Sequence, residues 1–210
     1  MNQNNGKNSL GLDSCFEDLD NPMELFKIWF SKAEEKEIND PNAVAVATSN
    51  KDNQPNVRMV LLKGLSERGF VFYTNFNSKK GGELKINQKA SMCFHWKSLR
   101  RQVRVIGKVE EVSSKEADDY YNSRPYKNRI SAWASSQSEI LDKRETFLNK
   151  IKEFEKKFPE ENSVPRPPHW SGWRLLPDEV EFWVDGEGRI HERLNYKNDK
   201  SKWKKEILYP

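Results

Sequence analysis

Residues 1–20 are polar and aperiodic, which predicts a mobile arm that orders only against a partner. The pattern changes at Asp20-Asn21-Pro22, where a capping residue and a proline at the first helical position precede Leu25, Ile28, Trp29 and Ala33 on one face. That spacing predicts an amphipathic helix ending near Glu37. Residues 43–48 are a short apolar run followed by the turn formers of 49–53, and 57–63 and 69–74 read as two more strands joined by a polar link. A short helix with a Ser78 cap, weakened by Gly81 and Gly82, is predicted over 78–88, and strands over 90–96 and 102–112.

Ser113 and Glu116 form a capping box that opens a helix to about Tyr121, ahead of Pro125. A second helical piece is predicted over 129–135. A longer one spans 139–158 with Ile140, Phe147, Ile151, Phe154 and Phe158 on its buried side, followed by a proline-rich connector over 159–168. Residues 173–176, a hairpin over 180–193 and residues 203–208 close the chain with strands. Strands at both ends and helices between them predict an α+β fold, an antiparallel barrel with helices packed on it, in one domain from residue 21 to 210. No Gly-x-Gly-x-x-Gly follows a strand and no Walker pattern occurs, so a nucleotide would have to be held another way.

Composition narrows the picture further. Charged residues make up 32% of the 210 residues and the net charge is only +4, with Lys and Glu mixed along the chain, which does not favour nucleic acid. Cys15 and Cys93 stand far apart without clustered His, so they read as reduced thiols rather than metal ligands. With no long apolar run, a membrane span is not expected and a cytoplasmic location is the default.

Candidate chemistry gathers at several points. In the hairpin, alternation would put Arg189, His191 and Arg193 on one strand face, a row that fits an anion site and the solvated face of a sheet equally well. The flanking arginines favour a neutral imidazole at His191, able to accept or relay a proton. Ser78-Lys79-Lys80 places cations at a helix start, where an anion would relieve their conflict with the helix dipole. Arg58 and Lys63 bracket Met59-Val60-Leu61-Leu62, and alternation turns them opposite ways. Tyr120 and Arg124 lie four apart and can share a face suited to a phosphate. Gln102 and Arg104 share a strand face, and Gln137-Ser138 precedes a helix as a polar cap.

These blocks, from Arg58–Lys63 through Phe72-Tyr-Thr-Asn75, Ser78–Lys80, Arg101-Gln102, Tyr120–Pro125, Ala132-Trp133, Gln137-Ser138 and Glu181–Arg193, resemble the FMN-dependent pyridoxine/pyridoxamine 5′-phosphate oxidases. The resemblance runs from Pro22 to the last residue. It implies a split-barrel homodimer with FMN at the subunit interface and an O2-dependent oxidation giving pyridoxal 5′-phosphate and H2O2. It places Arg58, Met59, Val60, Leu61, Leu62, Lys63, Tyr73, Thr74, Lys79, Lys80, Gln102, Gln137, Ser138, Trp183 and Arg193 at FMN. It places Lys63, Tyr120, Arg124 and Asn128 at the substrate phosphate, with Arg189 and His191 at the substrate ring as the catalytic pair. The chain departs from the family where residues 1–19 lack the Arg and Tyr of a closing arm, Asn128 replaces Ser, Ser131 replaces Gly, Val184 replaces Gln, and Ile207 replaces Arg. The competing readings are a flavin reductase on the same barrel, or a protein that binds flavin or pyridoxal phosphate without turning it over.

Overall fold

Asn21 caps the first helix by accepting the Met23 N–H, and with Pro22 next to it helix α1 runs over Pro22–Lys36. Its apolar face carries Phe26 and Trp29 into the core of a computed structural model that describes residues 7–200 and 202–210. Phe26 meets Phe70 edge-on at 4.8 Å and Trp29 meets Phe182 at 5.1 Å, so one helix plugs a sheet through aromatic contacts.

That sheet contains β1 (Ala43–Ser49), β2 (Pro55–Leu61), β3 (Gly64–Ser66), β4 (Gly69–Asn75), β5 (Lys89–Trp96), β6 (Arg101–Glu111), β7 (Trp170–Val184), β8 (Glu192–Asp199) and β9 (Lys202–Leu208). The spatial order is β2-β1-β5-β6-β7-β4-β3, every recorded pairing is antiparallel, and β8 joins β7 to β9. Strand β7 is the hinge of the design. One edge pairs with β6, while the other edge pairs first with β4 through residues 170–175 and then with β8 through residues 179–184. A bulge between Ile106 and Gly107 bends the β6–β7 ladder between those two halves. Helices α2 (Lys79–Ile86), α3 (Ser114–Asn122), α4 (Tyr126–Ala134) and α5 (Arg144–Lys157) fill the connections.

Three expectations are corrected. The first six residues of the predicted mobile arm lie outside the described residues, but from Lys7 onward the segment packs on its own chain. Leu12 and Phe16 are buried, the Phe16 ring meets that of Trp29 at 5.3 Å in a tilted contact, and the Trp29 indole donates to Cys15 O at 2.8 Å. Scattered single apolar residues, without a period, are enough to anchor an extended segment. The long helix is shorter than predicted, starting only at Arg144, and Ile140 is 100% exposed in the loop before it. Helix α5 buries no residue completely, and its Phe154, with Phe158 just past its end, rests on Trp133 instead. Finally, the polar link at 64–68 contains β3.

Replacing Phe16 with Ala should cost about 3 to 5 kcal/mol of stability, the range for losing a buried aromatic ring. Denaturant unfolding measures it, and an unchanged midpoint would mean that the segment does not pack.

Candidate functional site

The site begins at the N-terminus of α2. Ser78 caps it, its Oγ accepting the Gly81 N–H at 3.3 Å and donating to Asn75 O at 2.6 Å. A Cβ on Gly81 would lie 2.4 Å from Phe76 O, so only glycine lets the helix start this close to the end of β4. Lys80 is thereby folded inward, 8% exposed, with Nζ donating to Thr74 Oγ1 at 2.8 Å and Gln137 Oε1 at 3.0 Å. Burial, with the Arg58 guanidinium adding to it, pulls the Lys80 ammonium down to about 8. One turn on, buried Glu83 accepts from Arg58 Nη2 at 3.3 Å and Asn56 Nδ2 at 2.6 Å and also bonds the Thr48 hydroxyl. Its carboxylate is thus committed to the strands beneath the helix.

The opposite wall comes from α3, α4 and the start of β7. Tyr73 and Tyr120 stack at 4.0 Å, Tyr73 and Trp170 at 5.3 Å, and the Arg124 guanidinium lies 4.7 Å over the Trp170 ring. Burial, then the charge of Glu116, pushes the Tyr73 hydroxyl up to about 12, so it stays a donor. Between the walls is a cavity of about 380 Å³ lined by Met59, Val60, Leu61, Lys63, Tyr73, Thr74, Asn75, Lys80, Tyr120, Arg124, Ser131, Ala132, Ser135, Gln137 and Trp170. Three of these are cations and none is a carboxylate. Arg124 Nη1 is buried without a hydrogen-bond partner among the described residues. A cavity with this charge and an orphaned guanidinium nitrogen fits phosphate-bearing ligands, FMN among them.

Several expected residues sit at its margin or outside it. Arg58 lies below α2, Lys79 is exposed with its N–H donated to Ser138 Oγ at 3.2 Å, and neither lines the cavity. Leu62 is turned into the core and Asn128 is exposed on the outer side of α4. Strand β2 ends at Leu61, so alternation does not carry to Lys63. Ser131, noted only as a departure, lines the cavity instead, as do Asn75, Ser135 and Trp170, which sequence reasoning missed. Glu83 was missed too, though a glutamate three residues after Lys80 on one helix was a usable signal.

A second cluster lies elsewhere. Gln102, Trp183 and Arg193 are in register across β6, β7 and β8, and Arg193 Nε donates to Glu181 Oε1 at 2.9 Å. The His191 ring is 4.7 Å from that of Trp183. The predicted single row of Arg189, His191 and Arg193 does not form. Gly188 and Arg189 take φ 62 and 65 in a tight turn, and β8 starts only at Glu192, so strand alternation never reaches Arg189. The charge nearest His191 Nδ1 is also an anion, Asp185 Oδ1 at 3.1 Å, which the argument from flanking arginines omitted. Trp170 in the cavity and Trp183 in this cluster stand at opposite ends of β7. At ~3.3 Å per residue the path along the strand between them is roughly 40 Å, and none of Gln102, Trp183, His191 and Arg193 lines the cavity.

Residues 30–158 match the pyridoxamine 5′-phosphate oxidase family, and residues 170–210 match the C-terminal dimerisation region of pyridoxine 5′-phosphate oxidase. The chain belongs to the pyridoxamine 5′-phosphate oxidase family. A pyridoxine/pyridoxamine 5′-phosphate oxidase of Pelagibacter ubique is 58% identical over 98% of this chain and 100% of its own length. One from Sinorhizobium fredii is 51% identical over 93% and 95%. Among solved structures, PhzG from Burkholderia lata, in complex with tetrahydrophenazine-1-carboxylic acid, superposes with a TM-score of 0.87 at 30% identity, covering 94% of this chain and 96% of that one. An FMN-binding protein of Nostoc punctiforme at 18% identity and a TM-score of 0.72 shares the fold, confirming the split-barrel class expected from the sequence. The family's dimerisation region spans β7 to β9, the strands that carry Trp183 and Arg193 and the turn that carries His191.

Lysine ordinarily titrates near 10.5 and Lys80 near 8, so between those values the unfolded chain holds more protons than the folded one. Stability of the cofactor-free protein therefore rises with pH through that window. Lys80→Met should raise its melting temperature at pH 7, flatten this pH dependence and weaken FMN binding. Thermal melts and flavin titration check all three.

Proposed function

We propose that two copies of this chain form an FMN-dependent oxidase that converts pyridoxamine and pyridoxine 5′-phosphates to pyridoxal 5′-phosphate, with O2 as the acceptor and H2O2 as the by-product. The observation that carries it is the cavity with three cations, no carboxylate and a buried, unpaired Arg124 nitrogen, in a chain similar over its length to oxidases of that name. One domain, residues 21–210, binds the cofactor. The free thiols of Cys15 and Cys93 suit a reducing cytoplasm.

FMN, when bound, supplies the redox chemistry, taking hydride from the substrate's C4′ and passing electrons to O2. The chain supplies position and charge. Lys80, set by Thr74 and Gln137 at the start of α2, would hold the cofactor phosphate, with Arg58, Lys79 and Ser138 supporting it from the cavity's margin. Lys63, Tyr120 and Arg124 hold the substrate phosphate, and the Tyr73–Tyr120–Trp170 stack fixes the orientation of the residues that grip it. Met59 and Leu61 line the cavity and continue with Val57 as an exposed apolar row along β2, a surface suited to a second copy. The length of β7 makes that copy necessary. None of Gln102, Trp183, Arg189, His191 and Arg193 lines its own chain's cavity, so each cavity is completed by the other subunit's cluster.

A second reading follows from the likeness to PhzG, whose complex holds a carboxylic acid without a phosphate. Three cations without a carboxylate in the cavity suit a phosphate dianion better than a single carboxylate. The purified protein should bind FMN and consume O2 with pyridoxamine or pyridoxine 5′-phosphate, and should lose most of that rate with unphosphorylated pyridoxamine. A protein that stays inactive with added FMN contradicts the proposal. Arg124→Ala should raise KM for both phosphates about 10-fold or more while FMN content is kept, since it removes a charge-assisted contact to the substrate alone. Arg189→Ala should lower turnover far more than FMN content, and equal loss of both would place Arg189 at the cofactor.

A further inference from the structure

At the turn between β7 and β8, Asp185 and His191 meet Arg100, the residue just before β6, and the proposed reaction has used neither Arg100 nor Asp185. Arg100 donates through Nε and Nη2 to Asp185 Oδ2, at 2.9 and 2.7 Å, and accepts the Asp185 N–H on its own carbonyl at 3.0 Å. The other carboxylate oxygen, Oδ1, lies 3.1 Å from His191 Nδ1. Gly186 closes the turn, because a Cβ there would sit 1.9 Å from Ile190 O, and its N–H lies 3.2 Å from the same Nδ1.

These two neighbours make opposite demands on Nδ1. The Gly186 N–H needs it to be a bare acceptor, which puts the ring proton on Nε2. The Asp185 carboxylate needs it to carry the proton, which leaves Nε2 bare. A hydrogen bond to an ionised acceptor is roughly twice as strong as one between neutral groups. The Arg100 guanidinium holds the Asp185 carboxyl below the usual carboxylate range, so the acceptor stays ionised at neutral pH. The Trp183 ring at 4.7 Å packs on the imidazole beside these contacts.

We infer that Asp185, anchored by Arg100, is a positioning residue that fixes His191 in the Nδ1–H tautomer, so that Nε2 is presented unprotonated as the proton acceptor for the substrate. Nε2 makes no hydrogen bond among the described residues. In the reaction, the N–H or O–H bond of the substrate's amine or alcohol breaks and an Nε2–H bond forms. As C4′ gives up its hydride to the acceptor of the proposed oxidation, the alcohol becomes the aldehyde directly, while the amine becomes an imine that water hydrolyses with release of ammonia. The role in turnover rests on that oxidation, but the tautomer does not.

The test separates the two. The chain has three histidines, so 15N-histidine NMR of the holoenzyme, with the His191 signals assigned by loss in His191→Gln, reads the tautomer directly. Wild-type His191 should show Nδ1–H, and Asp185→Ala should shift it to Nε2–H, with Gly186 then donating to the bare Nδ1. Asp185→Asn, which keeps the shape of the turn without the charge, should shift it the same way. In both variants kcat should fall about tenfold, with KM and FMN content within twofold, as expected when a supporting hydrogen bond to a reactive imidazole is lost. An Nε2–H tautomer in the wild type, or an unchanged tautomer in both variants, overturns the assignment. Loss of FMN and kcat together without a tautomer change makes Asp185 a turn brace only. A clean tautomer shift in a protein without oxidase activity leaves the assignment standing and removes the proposed function instead.

Discussion

The length of β7 constrains everything else in this molecule. A strand covering Trp170–Val184 cannot bend back on itself, so the aromatic at its start and the aromatic at its end serve different places. The bulge opposite Pro177 lets the strand leave the β4 side of the sheet and join β8, which keeps both ends paired. As a result one chain carries two incomplete surfaces: a cationic cavity beside Trp170 and a ridge of Gln102, Trp183 and Arg193. In the proposed dimer a symmetric pair of chains uses both, and residues 170–210 match a dimerisation region.

The cavity also opposes the stability of its own fold. Lys80 is buried among hydroxyls and amides, and the closest acidic group on its helix, Glu83, is already bound to Arg58, Asn56 and Thr48. Arg124 leaves a buried nitrogen unpaired. Such groups destabilise an empty protein and stabilise a loaded one, because an anion satisfies them at once. The dense aromatic core around Phe26, Phe70, Phe94 and Trp96 offsets this local cost. Within the turn, Arg100 and Asp185 do similar work on a smaller scale, fixing a ring that would otherwise choose its own tautomer.

Much of the fold was legible because local signals there are strong. Asn21-Pro22, Ser78 and Ser113 cap helices in the structure as the sequence indicates, and the strand runs at 43–48, 69–74, 90–96 and 102–112 fall within a residue or two of β1, β4, β5 and β6. The failures share a cause. Phe16 and Leu12 are fixed by tertiary contact without any period, and the left-handed backbone continues past Gly188 onto Arg189, which turn glycines alone do not announce. At the site, Lys80, Tyr120 and Arg124 were visible as charged or aromatic residues at element ends. Trp170, Ser135 and Asn75 were not, since long-range packing alone brings them to the cavity. The Asp185 contact to His191 was equally hidden, because it depends on a turn whose path strand alternation misplaces.

The central claim is that each active site is built from the cavity of one chain and the turn of the other. A heterodimer carrying Arg124→Ala in one subunit and Arg189→Ala in its partner, purified through two different affinity tags, tests it most directly. Both substitutions then fall in one of the two sites and the other is native. Its turnover at limiting pyridoxamine 5′-phosphate should be about half that of the wild-type dimer, as two-fold symmetry requires, with both parent homodimers far below it. A heterodimer as inactive as its parents would mean that the cavity and the turn of a single chain work together, and would contradict the account.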